Sequence, residues 1–309
     1  MNELHTSRTR ELVAVLRREL GGAAPLPPPP PVPEIPLPPA RIWPTESHRS
    51  SYAERTAGHT TALLGVGHCG TRYHTDLVLQ FQAELAVAHG AVATELEADW
   101  AEKNGLLPLH TRVSSHREFL LRPDLGRRLN DASVERLRAE ARKGVDVQPI
   151  LADGLSAVAC MGAGMELLGH FTRACEARGL SVGTPMCAHH ARVWLEDEIG
   201  EIVGAKVAAI LLGERPGLGT GDGLSAYLVY HPKVGNTDGN RNMMSNIHAR
   251  GIHPNEAANK LAVLARAMIQ QQTSGVSLDL RPLLAELGDA VSGKPQAPQA
   301  RVRLVEVPR

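Results

Sequence analysis

The sequence predicts an α/β protein: a mostly parallel sheet domain, preceded by a helical region and a flexible proline-rich N-terminal extension. Three observations carry that expectation. After Gly144, short apolar runs alternate with helix-length segments up to Gln272, the rhythm of strands covered by helices on both faces. Two of those runs, Val207 to Leu212 and Leu224 to Tyr230, flank a glycine-dense loop. Half of the 22 prolines crowd into residues 25–44.

Taken in chain order, residues 1–22 read as a small amphipathic docking helix. Leu12, Leu16 and Leu20 form its stripe, Arg8, Arg10, Arg17 and Arg18 surround it, and Gly21-Gly22 ends it. Residues 23–49 read as a semi-rigid polyproline linker, because proline fixes φ and removes backbone donors. Residues 50–144 read as helical. Val78, Phe81, Leu85, Val92 and Leu96 space one long helix from Asp76 to Lys103, stopped by Asn104-Gly105, and a second covers Ala132 to Lys143.

The α/β domain is expected over residues 145–291. Its first strand is Val145 to Leu151, followed by the loop Asp153-Gly154-Leu155-Ser156 and a helix reaching Arg178. Leu180 to Thr184 and Arg192 to Leu195 read as short strands, Val207 to Leu212 as a buried one, and Leu224 to Tyr230 as another. A long polar loop then leads to Pro254, which opens a helix through Gln272. Pro149 cannot donate to a ladder, so its strand is placed at an edge or given a bulge. Residues 292–309 read as a disordered tail.

Composition narrows the function. Of 309 residues, 33 are basic and 33 acidic, so net charge gives no case for nucleic-acid or membrane-surface binding. No run of about eighteen apolar residues exists to span a bilayer. The four cysteines form no CxxC pair, and no secretory signal precedes them, so they read as reduced cytosolic thiols.

Three catalytic templates fail. The run Gly217-Leu218-Gly219-Thr220-Gly221-Asp222 begins like a dinucleotide fingerprint, but Asp222 stands where the third glycine belongs. Gly154-Leu155-Ser156-Ala157-Val158 lacks the closing glycine of a nucleophile elbow, which makes Ser156 a turn or cap residue. Cys187-Ala188-His189-His190 supplies too few spaced ligands for a closed zinc site. The loop Gly213 to Gly219, GERPGLG, differs in kind. It starts where a buried strand ends, offers the Glu214 carboxylate and the Arg215 guanidinium, and its glycines let backbone approach a bulky flat partner. A simple Glu214–Arg215 salt bridge within a turn is the structural alternative.

The motifs resemble those of one family, the small (light) subunit of ethanolamine ammonia-lyase. They run in order from Arg122-Pro-Asp-Leu-Gly-Arg-Arg-Leu129 through Asp153-Gly-Leu-Ser156, Val182-Gly-Thr-Pro185, Ala191-Arg-Val193 and Glu196-Asp-Glu-Ile-Gly-Glu-Ile202. Gly204-Ala-Lys206, GERPGLG, Ser245-Asn-Ile-His248 and Ser274-Gly275 follow. The resemblance implies a Rossmann-like domain and a non-catalytic subunit of an adenosylcobalamin-dependent lyase that converts ethanolamine to acetaldehyde and ammonia. It implies a large (heavy) subunit that carries the catalytic residues, with cobalamin held between the two chains. Carried over by motif, Val193, Glu214 and Met243 contact the cofactor, and no residue of this chain is catalytic. Met243 stands where the family often has cysteine; both are soft and polarizable. The family's association with bacterial microcompartments makes residues 1–22 a docking segment for a shell or assembly partner. The alternatives are a stand-alone nucleotide-dependent oxidoreductase and a microcompartment scaffold.

Overall fold

A computed structural model describes residues 70–218 and 221–283, together with Arg55 and Leu64. The expected docking helix, the linker and the C-terminal tail lie outside the described residues. All described residues fall in one compact unit.

Among the described residues six strands form one sheet: β1 (Leu107–His110), β2 (Val147–Ala152), β3 (Met186–His189), β4 (Val207–Gly213), β5 (Leu224–Tyr230) and β6 (Arg241–Ile247), in the order β1-β3-β2-β4-β5-β6. The three pairings among β1, β3, β2 and β4 are parallel, and β4–β5 and β5–β6 are antiparallel. The helices are α1 (Thr75–Ala93), α2 (Trp100–Lys103), α3 (His116–Leu121), α4 (Asp131–Glu140), α5 (Met165–Glu176), α6 (Leu195–Val203) and α7 (Pro254–Gln271). A π-helical turn, Cys160–Gly164, leads into α5.

Alternation along the strands builds two cores. On one face Val147, Leu151, Val207, Ala209, Leu211 and Leu228 pack against Leu167 and Phe171 of α5 and Leu261 and Met268 of α7. On the other, Leu109, Ile150, Met186, Ala188 and Ile210 pack against Leu137 of α4 and Leu195 and Ile199 of α6.

Five expectations are corrected. Leu180 to Thr184 is no strand: Val182 keeps one isolated bridge to Val147, and the strand starts at Met186. The region expected to be helical also contributes β1, a parallel strand at the edge of the same sheet. The expected long helix divides, because Leu96 leaves α1 to bury itself in the core. Arg192 to Leu195 is no strand: Leu195 starts α6, whose first turn carries Glu196, Asp197 and Glu198, acidic residues that suit a helix N-terminus. Most consequential for the site, the polar loop after β5 contains strand β6.

Pro149 is also not at an edge, since β2 lies between β3 and β4. The bulge alternative is what the chain uses. Pairing shifts by one residue between Val147↔Val182 and Ile150↔Met186, at the place where proline has no N–H. The buried Gln148 amide donates there instead, to Thr184 O at 2.8 Å and Pro149 O at 2.9 Å. Gly183 leaves room for it; a Cβ would meet Gln148 Oε1 at 2.1 Å.

After α7 the chain folds back onto β6. Gly275 N–H donates to Asn242 Oδ1 (2.6 Å), Asn242 Nδ2 donates to Gly275 O (3.3 Å), and Ser274 Oγ accepts from Tyr230 N–H (2.9 Å). Among the described residues no helix is long and apolar enough to cross a membrane.

Candidate functional site

Parallel strands β2, β3 and β4 end at the same edge of the sheet, so the loops that follow them converge. The loops after β2 and β4 touch backbone to backbone. Leu155 N–H donates to Gly213 O (2.9 Å), and a Cβ on Gly213 would sit 2.4 Å from Asp153 O and 2.3 Å from Ser156 O. Ser156 acts as the expected cap, accepting from Ala159 N–H (3.1 Å) and donating to Gly221 O (3.0 Å). Buried Asp153 anchors the loop after β3 by accepting from the N–H groups of His190 (2.9 Å) and Ala191 (3.3 Å). Burial pushes its carboxyl up to about 7, against the pull of those donors.

The structure places Glu214 and Met243 on one face of the sheet and Val193 against the core that this face covers. Glu214 follows β4 directly; its N–H donates to Gly223 O (2.9 Å) and its Oε1 accepts from the Ser225 hydroxyl. That hydrogen bond, rather than a salt bridge to Arg215, orients the carboxylate. Ser225 pairs across from Leu212, and Tyr227 pairs with both Ile210 and Met243. Directly paired residues share a face, so Leu212, Ser225, Tyr227 and Met243 lie together. Met243 therefore sits on a strand, and it is 51% exposed. Val193, half-buried at the turn into α6, packs against the same core as Leu212 and Tyr227.

Sequence reasoning missed the groups that hold this face together. Arg241, two residues before Met243, donates to Glu196 Oε1 at 2.6 Å and to Asp197 Oδ2 at 3.0 Å, with all three side chains buried. Its guanidinium lies 5.7 Å from the Trp194 ring, on which Arg127 also stacks at 4.1 Å. The start of α6, next to Val193, is thereby bound to β6. The Asp197-to-Arg241 separation carries no local pattern; the only available signal was an arginine inside a predicted loop. The second motif also closes on the first: buried His248 contacts Asn246 Oδ1 (2.7 Å) and feels the charges of Asp222 and Glu214.

One cation against two carboxyls leaves a proton to place. Burial pushes Glu196 from its ordinary 4.5 up to about 8, despite the pull of Arg241. The folded state therefore holds a proton that the unfolded chain releases above about pH 4. The stability that Glu196 contributes falls as pH rises from about 4 to about 8, because the native-state Glu196 carboxyl keeps its proton throughout that window while the unfolded one does not. Urea midpoints measured across it should decline more steeply for the natural protein than for Glu196→Gln. Parallel curves would refute this.

The two adjacent histidines at the end of β3 diverge at once, each joining a different neighbour. His189 stacks on His110 (4.9 Å between ring centroids) and is pushed down to about 4, mainly by burial. Cys187 is fully buried beside Cys160 and is not part of a histidine cluster, whereas His190 meets His116 and Glu95.

A family model for the ethanolamine ammonia-lyase light chain (EutC) matches residues 51–279, most of the chain and every element above. The chain belongs to that family. As an ethanolamine ammonia-lyase light chain it is one subunit of an ammonia-lyase, and the family implies a heavy chain as its partner. The match covers all three loops at the strand ends, β6, and the Ser274-Gly275 return.

Proposed function

We propose that the chain is the small subunit of an adenosylcobalamin-dependent ethanolamine ammonia-lyase and forms one wall of the cobalamin site. The large subunit supplies the opposite wall and the catalytic residues for conversion of ethanolamine to acetaldehyde and ammonia. The carrying observation is the shared face of Glu214 and Met243: Glu214 accepts from Ser225, and exposed Met243 pairs with half-buried Tyr227, with Val193 packed on the core behind. We read residues 145–291, joined by β1 in the same sheet, as a Rossmann-like domain, whose ligands bind outside the carboxyl ends of the strands.

The donor set fits the group. A corrin has a broad apolar face and peripheral amides. Met243 and Tyr227 offer a soft apolar surface, and the Glu214 carboxylate, with Oε1 engaged by Ser225, keeps Oε2 to accept from an amide N–H. When bound, the cofactor supplies radical chemistry by cleavage of its cobalt–carbon bond. This chain binds and orients: the Ser225 hydroxyl aims the carboxylate, the Asp153 anchor holds the Val193 loop, and Arg241 sets β6 against α6. Apolar side chains on the same face keep water from the ring.

The test is reconstitution with the large subunit, assaying ethanolamine deamination with added adenosylcobalamin. Activity is expected only with both chains; full activity from this chain alone would sink the proposal. In the assembled enzyme, Glu214→Ala should weaken cofactor affinity by about 1–3 kcal/mol, the usual loss for a hydrogen bond to a charged group. An unchanged cofactor titration would make the carboxylate purely structural.

We further propose that residues 1–22, tethered by residues 23–49, dock to a microcompartment shell or assembly partner. The motivation is the leucine stripe of residues 1–22 on a proline spacer. A reporter fused to residues 1–22 should collect at such shells, and a diffuse reporter would contradict it.

A further inference from the structure

We propose that Glu95, His116 and His190 form a binding site for a divalent zinc-class metal ion. One ligand atom from each lies within 4.8 Å of the others. His190 Nε2 and Glu95 Oε2 are already 3.6 Å apart. Three separate segments supply them: the link between α1 and α2, the first residue of α3, and the loop after β3.

The backbone at His190 is what lifts this above a surface ion pair. Its φ of +54° lies in the left-handed region, where a residue with a Cβ is strained by about 1–3 kcal/mol. The conformation is held from both sides. His190 N–H donates to Asp153 Oδ2 at 2.9 Å, and His190 O accepts from Thr111 Oγ1 at 3.2 Å. Gly126 packs against the same carbonyl, where a Cβ would come within 2.8 Å. Asp153 and Thr111 are both buried, so the imidazole is carried on a rigid mount. The Phe119 ring, 5.4 Å from His190 and 6.3 Å from His116, walls one side of the cluster with apolar atoms.

Two imidazoles and one carboxylate suit zinc, and its spectroscopic substitute cobalt, better than magnesium or calcium, which prefer oxygen ligands alone. Tetrahedral zinc with bonds of about 2.0–2.1 Å holds its ligand atoms about 3.4 Å apart. The His190–Glu95 pair is near that separation. The Glu95 side chain is 54% exposed and free to close the rest. Three protein ligands leave a fourth position for water.

The untagged full-length chain, stripped with a chelator and kept free of cobalamin, is titrated with Zn²⁺ by calorimetry. A second titration with Co²⁺ follows visible ligand-field absorption. One equivalent should bind with Kd of about 10 µM or tighter. His116→Ala and Glu95→Gln should each weaken binding by about tenfold or more while leaving the circular dichroism and melting temperature unchanged. His170→Ala, which alters another histidine beside a glutamate, should bind as the natural chain does. The proposal is overturned if the natural chain shows no saturable binding, if both ligand variants bind as it does, or if His170→Ala alone removes the site.

Discussion

Replacing Arg241 with methionine is expected to destabilise the protein by about 3–5 kcal/mol, the cost of leaving buried charge without its partner. The guanidinium is 3% exposed, and the Glu196 and Asp197 side chains it serves are 0% and 4% exposed. Methionine fills much of the stem volume, so the loss reports charge rather than a cavity. Replacing the acids as well, with Glu196→Gln and Asp197→Asn, should recover part of the stability, because no buried carboxyl is then left without its partner. Urea denaturation at neutral pH measures both variants, and a loss below about 1 kcal/mol for Arg241→Met would show that water reaches the trio. The effect should extend beyond stability. Arg241 binds β6 to the start of α6, so the variant also frees Val193 and Met243 from their common frame.

A single methyl group at Gly213 should cost about 3 kcal/mol, the upper range for overpacking. The added Cβ would lie 2.4 Å and 2.3 Å from the carbonyl oxygens of Asp153 and Ser156, and backbone atoms cannot step aside as a flexible side chain can. One of the two loops must move. Since Glu214 is the next residue, displacement should also lower cofactor affinity in the assembled enzyme. Gly162→Ala, where a Cβ meets nothing within 4 Å, is the matching control and should be close to neutral. Equal melting temperatures for the two variants would refute the backbone-contact account.

What could be read from the sequence followed from how much each segment depends on its own residues. Strand β5 was expected at its observed limits, β4 within one residue, and Pro254 does open α7. Each has an uninterrupted apolar run or a strong local signal. Strands β1 and β3 have four residues each, too few to display a period, and are strands because parallel neighbours pair with them. Strand β6, RNMMSNI, is polar because Met243 and Ser245 face outward and because Arg241 is satisfied by acids more than forty residues away. That Glu214 stands at the end of a buried strand was legible because a charged residue followed an apolar run and preceded glycines. Asp153, Arg241, Glu95 and His116 were not, since their partners are set by tertiary contact. Pro149 misled for a related reason: the Gln148 amide replaces the missing donor, and no rule based on proline alone anticipates that.

Strand β6 ends the sheet, and a terminal strand presents donors and acceptors that a strand of another molecule could extend. Gly275 already meets it there, exchanging two hydrogen bonds with the Asn242 side-chain amide much as a neighbouring strand residue would with backbone. It does so at φ +69°, and a Cβ there would lie 1.9 Å from Gly239 O, so this imitation of a seventh strand is one glycine long and cannot propagate. The Ser274-Gly275 motif thus covers the Asn242 end of this edge strand from within the same chain.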